Sequence, residues 1–215
     1  LQKCLAGPPG IAPITFNDHV AEIINSRKHI EKGIRPKGFQ AAKGPMVASN
    51  YFDLGMLMDY WSEARLNHHT EATSMLYAAR ECARVVLKEG LQAGFDRHAL
   101  ASRAMVAGLE GLGLKIFGDK QHKMPNVTGV YIPEGIDGEA ARADMLHDFG
   151  IEIGTSFGPL HGMIWRIGAM GYNCQKQNIL TCLAALEATL RQHNVSMPAC
   201  NGVTAALAEY RAVGQ

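Results

Sequence analysis

Residues 114–190 change their apolar period several times, and that rhythm constrains the fold more than any other feature of the chain. Leu114-Lys115-Ile116-Phe117 and Thr128-Gly129-Val130-Tyr131-Ile132 read as short strands, rich in β-branched and aromatic residues between turn signals. Asp137 is placed to cap a helix that runs to Phe149. Ile151-Glu152-Ile153 and Ile164-Trp165-Arg166-Ile167 read as two more strands. Asn173 then caps a strong helix whose apolar face is Ile179, Leu183, Leu186 and Leu190. Strand–strand–helix–strand–strand–helix gives an α/β sandwich with at least partly antiparallel strands.

Upstream the periods are helical. Leu76, Ala79, Ala83 and Val86 recur at helical spacing, with Glu71 in the first turn and Gly90 beyond the end. A second helix runs from Asp96 to about Leu112 on Leu100, Ala104, Gly108 and Leu112, with Gly111 and Gly113 to end it. Nearer the start, residues 11–16 read as a strand and residues 18–32 as a helix. A Gly/Pro-punctuated loop over 33–45 follows, either a mobile surface loop or a segment flanking an active site. Residues 51–59 then lead through Trp61 into Asn67-His68-His69-Thr70.

Composition removes several function classes. Twenty-one basic and 20 acidic residues leave a formal charge of +1, which gives no electrostatic case for nucleic acid or a membrane surface. No apolar run approaches the roughly 20 residues that span a bilayer. The five cysteines (Cys4, Cys82, Cys174, Cys182 and Cys200) form no CxxC pair and are odd in number. They read as reduced thiols of a cytoplasmic protein. The adjacent His68 and His69 come without metal-ligand spacing, and neighbours in sequence point apart, so no metal site is expected. The C-terminal Ala-Val-Gly-Gln is no peroxisomal address.

Three short stretches carry the chemistry. The first is Leu1-Gln2-Lys3-Cys4-Leu5-Ala6-Gly7-Pro8-Pro9-Gly10, a lysine followed by a small apolar stretch and a rigid turn. The second is Arg166, the one charge in an apolar strand-like run, followed by Ile167-Gly168-x-x-Gly171. A guanidinium buried there needs a partner: a structural carboxylate such as Glu152, or the carboxylate of a ligand gripped by two parallel hydrogen bonds. The third is Asn67-His68-His69-Thr70, with Thr70 at a helix start, either as a simple N-cap or where free N–H groups favour an anion.

Together these stretches resemble the class V, fold-type I aminotransferases, especially the alanine/serine–glyoxylate group with its Gln-Lys-x-Leu-x-x-Pro-Pro-Gly pattern. The resemblance runs from residue 1 to about 195 and covers the C-terminal half of such an enzyme. It implies that residues 1–90 are the C-terminal part of the pyridoxal-phosphate-binding large domain, and that residues 91–215 form the small C-terminal α/β domain. It further implies a fragment that needs its own N-terminal half to work.

The same resemblance assigns roles. Lys3 is implied as the residue that carries pyridoxal 5'-phosphate, and Arg166 as the grip on the substrate carboxylate. The family's glycine-rich approach to that strand matches residues 154–160. Thr70 is implied to reach across a homodimer interface to the neighbour's cofactor phosphate. Relatives have Tyr-His-His-Thr where this chain has Asn67-His68-His69-Thr70. Asn67 is similar instead to the ureidoglycine–glyoxylate branch, where an amide offers both a donor and an acceptor to a ureido group. The implied activity is amino transfer to glyoxylate, with (S)-ureidoglycine from purine breakdown as donor and alanine or serine as alternatives. Desulfurase chemistry of a class V cousin would need a mobile-loop cysteine, and none lies between Cys82 and Cys174. A non-catalytic interaction fragment is the alternative of another class, although a scaffold has no need of an arginine in an apolar strand.

Overall fold

The computed structural model describes residues 1–30, 33, 35, 37–40, 44–45, 47–63, 65–199 and 202–214. Its chain divides into two compact units, Gly10–Leu76 on one side and Leu1–Pro9 with Tyr77–Gln215 on the other.

The larger unit is mixed α/β. Two antiparallel strands, β1 (Val127–Tyr131) and β2 (Ile164–Gly168), form its sheet, with Thr128 opposite Ile167 and Val130 opposite Trp165. Both of these pairs are buried, whereas Arg166, opposite Gly129, is exposed. This is the period-2 alternation of a half-buried sheet. The outer two of the four expected strands shrink to single bridges, Ile116 to Val130 and Gly154 to Arg166. Gly113 and Gly118, both at positive φ, bracket the first, and the second lies between a helix end at Gly150 and the loop that follows. Each has too few residues to extend the ladder, yet Leu114, Ile116 and Ile153 still reach the core.

Four helices of this unit follow from recognisable signals. The α3 helix (Thr73–Glu89) ends where Gly90 adopts φ +86°, and α4 (Leu91–Gly111) begins there, five residues before the sequence expectation. Its core-facing row Leu100, Ala104, Met105 and Leu109 is buried. Asp137 caps α5 (Gly138–Phe149), accepting from the Glu139 and Ala140 N–H groups at 2.9 and 3.1 Å. Gly150 closes that helix in the left-handed conformation. The α6 helix (Lys176–Gln192) buries Ile179, Leu183, Leu186 and Leu190 as its period requires. Its cap position is Gln175, not Asn173: Asn173 lies in a 3-10 turn, and its carbonyl accepts from the Asn178 side chain. A further helix, α7 (Gly202–Ala212), was not anticipated; Ala206 and Tyr210 bury it against α4 and α6. Gly202 allows close approach, since a Cβ there would lie 2.6 Å from the Gly108 carbonyl oxygen.

The smaller unit holds α1 (Asp18–Ser26) and α2 (Leu54–Trp61). Asn17 caps α1 and the buried Asp53 caps α2. Lys28, just past α1, pairs with Asp59 of α2. Residues 11–17 form no strand: Pro13 lacks a donor, and Ile14 is 62% exposed. The α1 helix stops at Ser26, short of Lys32, which lies outside the described residues, as do parts of the 33–45 loop and Cys200. Among the described residues no helix is long and apolar enough to cross a membrane.

Candidate active site

Lys3 stands exposed on a tight turn. The Ala6 N–H donates to the Lys3 carbonyl and the Gly7 N–H to that of Leu1, both at 3.0 Å, and Ala6 accepts φ +56° to close the loop. Gly7 is buried, and a Cβ on it would lie 3.1 Å from the Cys82 sulfur of α3, so the turn sits flat on that helix. The Asn126 side-chain amide donates to the Cys4 sulfur at 3.1 Å. On another side is Gly171, where a side chain would lie 2.7 Å from the Cys4 carbonyl oxygen and 2.9 Å from Ala6 Cβ. An apolar cavity of about 730 Å³ adjoins the turn, lined by Leu5, Val86, Leu91, Phe95 and Met124 among others.

Arg166 departs from the expectation of a buried guanidinium. Its strand neighbours Trp165 and Ile167 are buried, but its own side chain lies on the solvent side of the sheet. Nε donates to the Thr155 carbonyl oxygen at 2.7 Å, and the guanidinium carbon rests 5.2 Å from the centroid of the Phe157 ring. Among the described residues Arg166 takes part in no ion pair, with Glu152 or any other carboxylate. The 154–160 loop therefore orients the guanidinium without neutralising it. Its two terminal nitrogens can take a ligand carboxylate in the paired geometry that arginine favours.

Asn67 and Thr70 belong to the smaller unit, and both are exposed. Thr70 is not at the helix start. The first α-helical carbonyl of α3 is that of Ala72, which accepts from Leu76 at 3.1 Å, so Thr70 stands two residues before it. Glu71 likewise precedes the helix. His68 and His69, expected to point apart, meet at 2.9 Å between their Nδ1 atoms. His68 Nε2 reaches the Asn50 carbonyl at 2.6 Å, and His69 Nε2 the Glu71 carboxylate at 3.0 Å. Among the described residues no cluster of three or more ligating side chains could hold a metal.

Sequence reasoning passed over Arg97 and His98 of α4, whose side chains hold the backbone of Gly171. Their partner lies more than 70 positions away, so no local pattern could have exposed them.

No protein-family model matches the chain. It is 54% identical over 216 aligned residues to the (S)-ureidoglycine–glyoxylate transaminase of Bacillus subtilis (strain 168), covering 100% of this chain and 52% of that protein. The alanine–glyoxylate aminotransferase of Mus musculus is 32% identical over 194 residues, covering 88% and 43%. The crystal structure of the ureidoglycine–glyoxylate aminotransferase from Bacillus subtilis superposes with a TM-score of 0.86 at 53% identity, covering 98% of this chain and 50% of that one. Along its whole length the chain is similar in sequence and fold to these fold-type I aminotransferases. It spans about half the length of the curated relatives it matches. An alanine–glyoxylate aminotransferase structure from Nostoc sp. is also similar, with a TM-score of 0.75 and 34% identity over 88% of this chain and 46% of the other. Aminotransferases of this fold type use pyridoxal phosphate.

Proposed function

We propose that the complete protein is a pyridoxal-phosphate-dependent transaminase that passes an amino group from (S)-ureidoglycine to glyoxylate. The observation that carries this reading is the level of identity: 54% along the whole chain to a ureidoglycine enzyme, against 32% to an alanine–glyoxylate enzyme. The residues present fit the cofactor and its substrates. An exposed lysine stands on a rigid, backed turn, and among the described residues an oriented arginine lacks a carboxylate partner. Residues 1–90 would complete the cofactor-binding large domain together with the N-terminal half, and residues 91–215 would form the small domain. The working form is a cytoplasmic homodimer, and its reaction belongs to purine breakdown.

Pyridoxal phosphate, when bound, supplies the electron sink for the bond changes at the substrate's Cα. Lys3 would hold the cofactor through its side-chain amine and, once released, would move the proton at the substrate's Cα. Arg166 fixes the carboxylate common to donor and acceptor, so that the Cα–H bond is presented in one orientation. Asn67 pairs its amide with the distal ureido group. Thr70 would help to hold the cofactor phosphate of the opposite subunit.

The test uses the complete protein. Borohydride reduction and peptide mapping should place a pyridoxyl group on Lys3, and freshly generated ureidoglycine should outperform alanine and serine as donor to glyoxylate. Asn67→Tyr should lower ureidoglycine activity while leaving glyoxylate use intact, because the ureido group loses the amide proposed to pair with it. Label on another lysine would remove the catalytic assignment. A wild-type preference for alanine or serine would remove the ureidoglycine assignment and favour the other branch.

A further inference from the structure

Gly171 is gripped at both of its backbone polar groups by two consecutive residues of α4. The Arg97 Nη1 donates to the Gly171 carbonyl at 2.9 Å and to the Cys174 carbonyl at 2.7 Å. The same guanidinium turns Nε and Nη2 to the two carboxylate oxygens of Glu89, the last residue of α3. His98 Nδ1 lies 2.6 Å from the Gly94 carbonyl, which can only accept, so that nitrogen carries the proton. The lone pair on Nε2 is then free to accept the Gly171 N–H at 3.0 Å.

What Gly171 touches gives this grip its meaning. It is buried, at φ +58°, with its α-carbon against Cys4 and Ala6 of the turn that carries Lys3. Five residues earlier on the same chain is Arg166. A second tie runs parallel: the Ala169 N–H donates to the Asn126 carbonyl at 3.0 Å, and the Asn126 side chain donates to the Cys4 sulfur. The short run 167–171 is therefore the spacer between the lysine turn and the arginine strand. Arg97 and His98 fix its far end.

We infer that Arg97, together with His98, is a positioning residue that sets the separation of Lys3 from Arg166 by holding Gly171 against the lysine turn. This rests on the roles given to Lys3 and Arg166 under Proposed function. Arg97 touches neither substrate nor cofactor in this account. It acts through the two residues that do, by keeping the carboxylate grip and the proton-carrying amine in register. Lysine cannot replace it, because one ammonium cannot reach two carbonyls and both oxygens of a carboxylate in one planar arrangement.

The test uses the complete, cofactor-loaded enzyme. Arg97→Lys should keep cofactor content and cooperative unfolding but lose roughly 10- to 100-fold in kcat/KM for the amino donor, the scale of a misplacement of about an ångström. In an Arg166→Lys background the same change should cost less than about 3-fold, because the geometry it protects is already lost. His98→Gln, whose amide oxygen can accept the Gly171 N–H, should stay within about 3-fold of wild type, whereas His98→Leu should resemble Arg97→Lys. Unchanged kcat/KM per bound cofactor in Arg97→Lys, or an equal loss in both backgrounds, would overturn the inference. If Arg97→Lys does not fold, the His98 pair decides: equal activity of the Gln and Leu variants also overturns it. A wild-type enzyme that carries no label on Lys3 would instead refute the functional reading, before any variant is compared.

Discussion

Replacing Arg166 by lysine separates two energies that the structure makes unequal. Among the described residues the guanidinium makes one hydrogen bond, to the Thr155 carbonyl, and rests on the Phe157 ring at 5.2 Å. Both contacts are on the exposed face of β2. An exposed cation–π contact is worth about 0.5–1 kcal/mol, and a single hydrogen bond nets about 1 kcal/mol. The fold therefore loses at most about 1–2 kcal/mol, part of which the lysine recovers. A substrate carboxylate held bidentately in a closed site is a different matter, because truncating such a pair typically costs about 2–4 kcal/mol. At 1.36 kcal/mol per decade that is roughly a 30- to 900-fold loss in kcat/KM. The assay measures kcat/KM for donor and for glyoxylate alongside cofactor content and thermal midpoint. Both substrates should suffer, since both carry the carboxylate. Activity within about 3-fold of wild type, or a loss confined to the unfolded fraction, would refute the assignment of Arg166 to the substrate.

Three other outcomes follow from the packing and the charges. Gly202→Ala would place a methyl group 2.6 Å from the Gly108 carbonyl and 2.8 Å from Leu112; overpacking at that level costs about 1–3 kcal/mol, so the thermal midpoint should fall, and an unchanged midpoint would contradict the close helix crossing. Cys174 and Cys182 should resist alkylation in the native protein while exposed Cys4 reacts, because burial raises both thiols, Cys182 to about 11; modification of Cys182 at the Cys4 rate would count against the core. The hydrogen bonds from Arg97 hold the Glu89 carboxyl below its usual range, so this pair stabilises the fold above the ordinary glutamate value of 4.5 and loses its contribution as pH falls through the lower folded value. Glu89→Gln should therefore flatten part of the decline in urea midpoint between about pH 5 and pH 3, and an identical decline in wild type and variant would contradict it.

What could be read before the structure was whatever is written in neighbouring positions. The α6 face, Ile179, Leu183, Leu186 and Leu190, is a one-element pattern, and it is buried as its period demands. Asp137 and Gly150 mark both ends of α5 because capping is settled within one turn. The middle strands formed because Val130 and Trp165 each carry enough apolar bulk to be drawn inward. Where the expectation failed, the deciding partner lay far away. Residues 11–16 have strand-like composition but meet no strand among the described residues. The α7 helix offers only Val203, Ala206 and Tyr210 as apolar anchors, and it is held by the facing surface of α4. Thr70 looked like a cap because a hydroxyl before an apolar period usually is one, yet helical bonding starts two residues later.

The same division applies to the site. Arg166 could be singled out as the one charge in an apolar run, and Lys3 because its run resembles the aminotransferase pattern. Their relation to each other could not, since it passes through Gly171, Asn126 and two side chains of α4. Arg166 shows how the two levels meet. An arginine among Ile164, Trp165 and Ile167 looks buried when the run is read as uniformly apolar. Alternation along β2 instead turns its side chain to the opposite face, where the 155–157 loop supplies one carbonyl and one ring and leaves the charge unmatched. A buried structural arginine would need its carboxylate in place before any ligand arrived. An oriented but unpaired guanidinium is what a carboxylate-binding site needs at rest, and that difference is what connects the fold of this strand to the chemistry proposed for it.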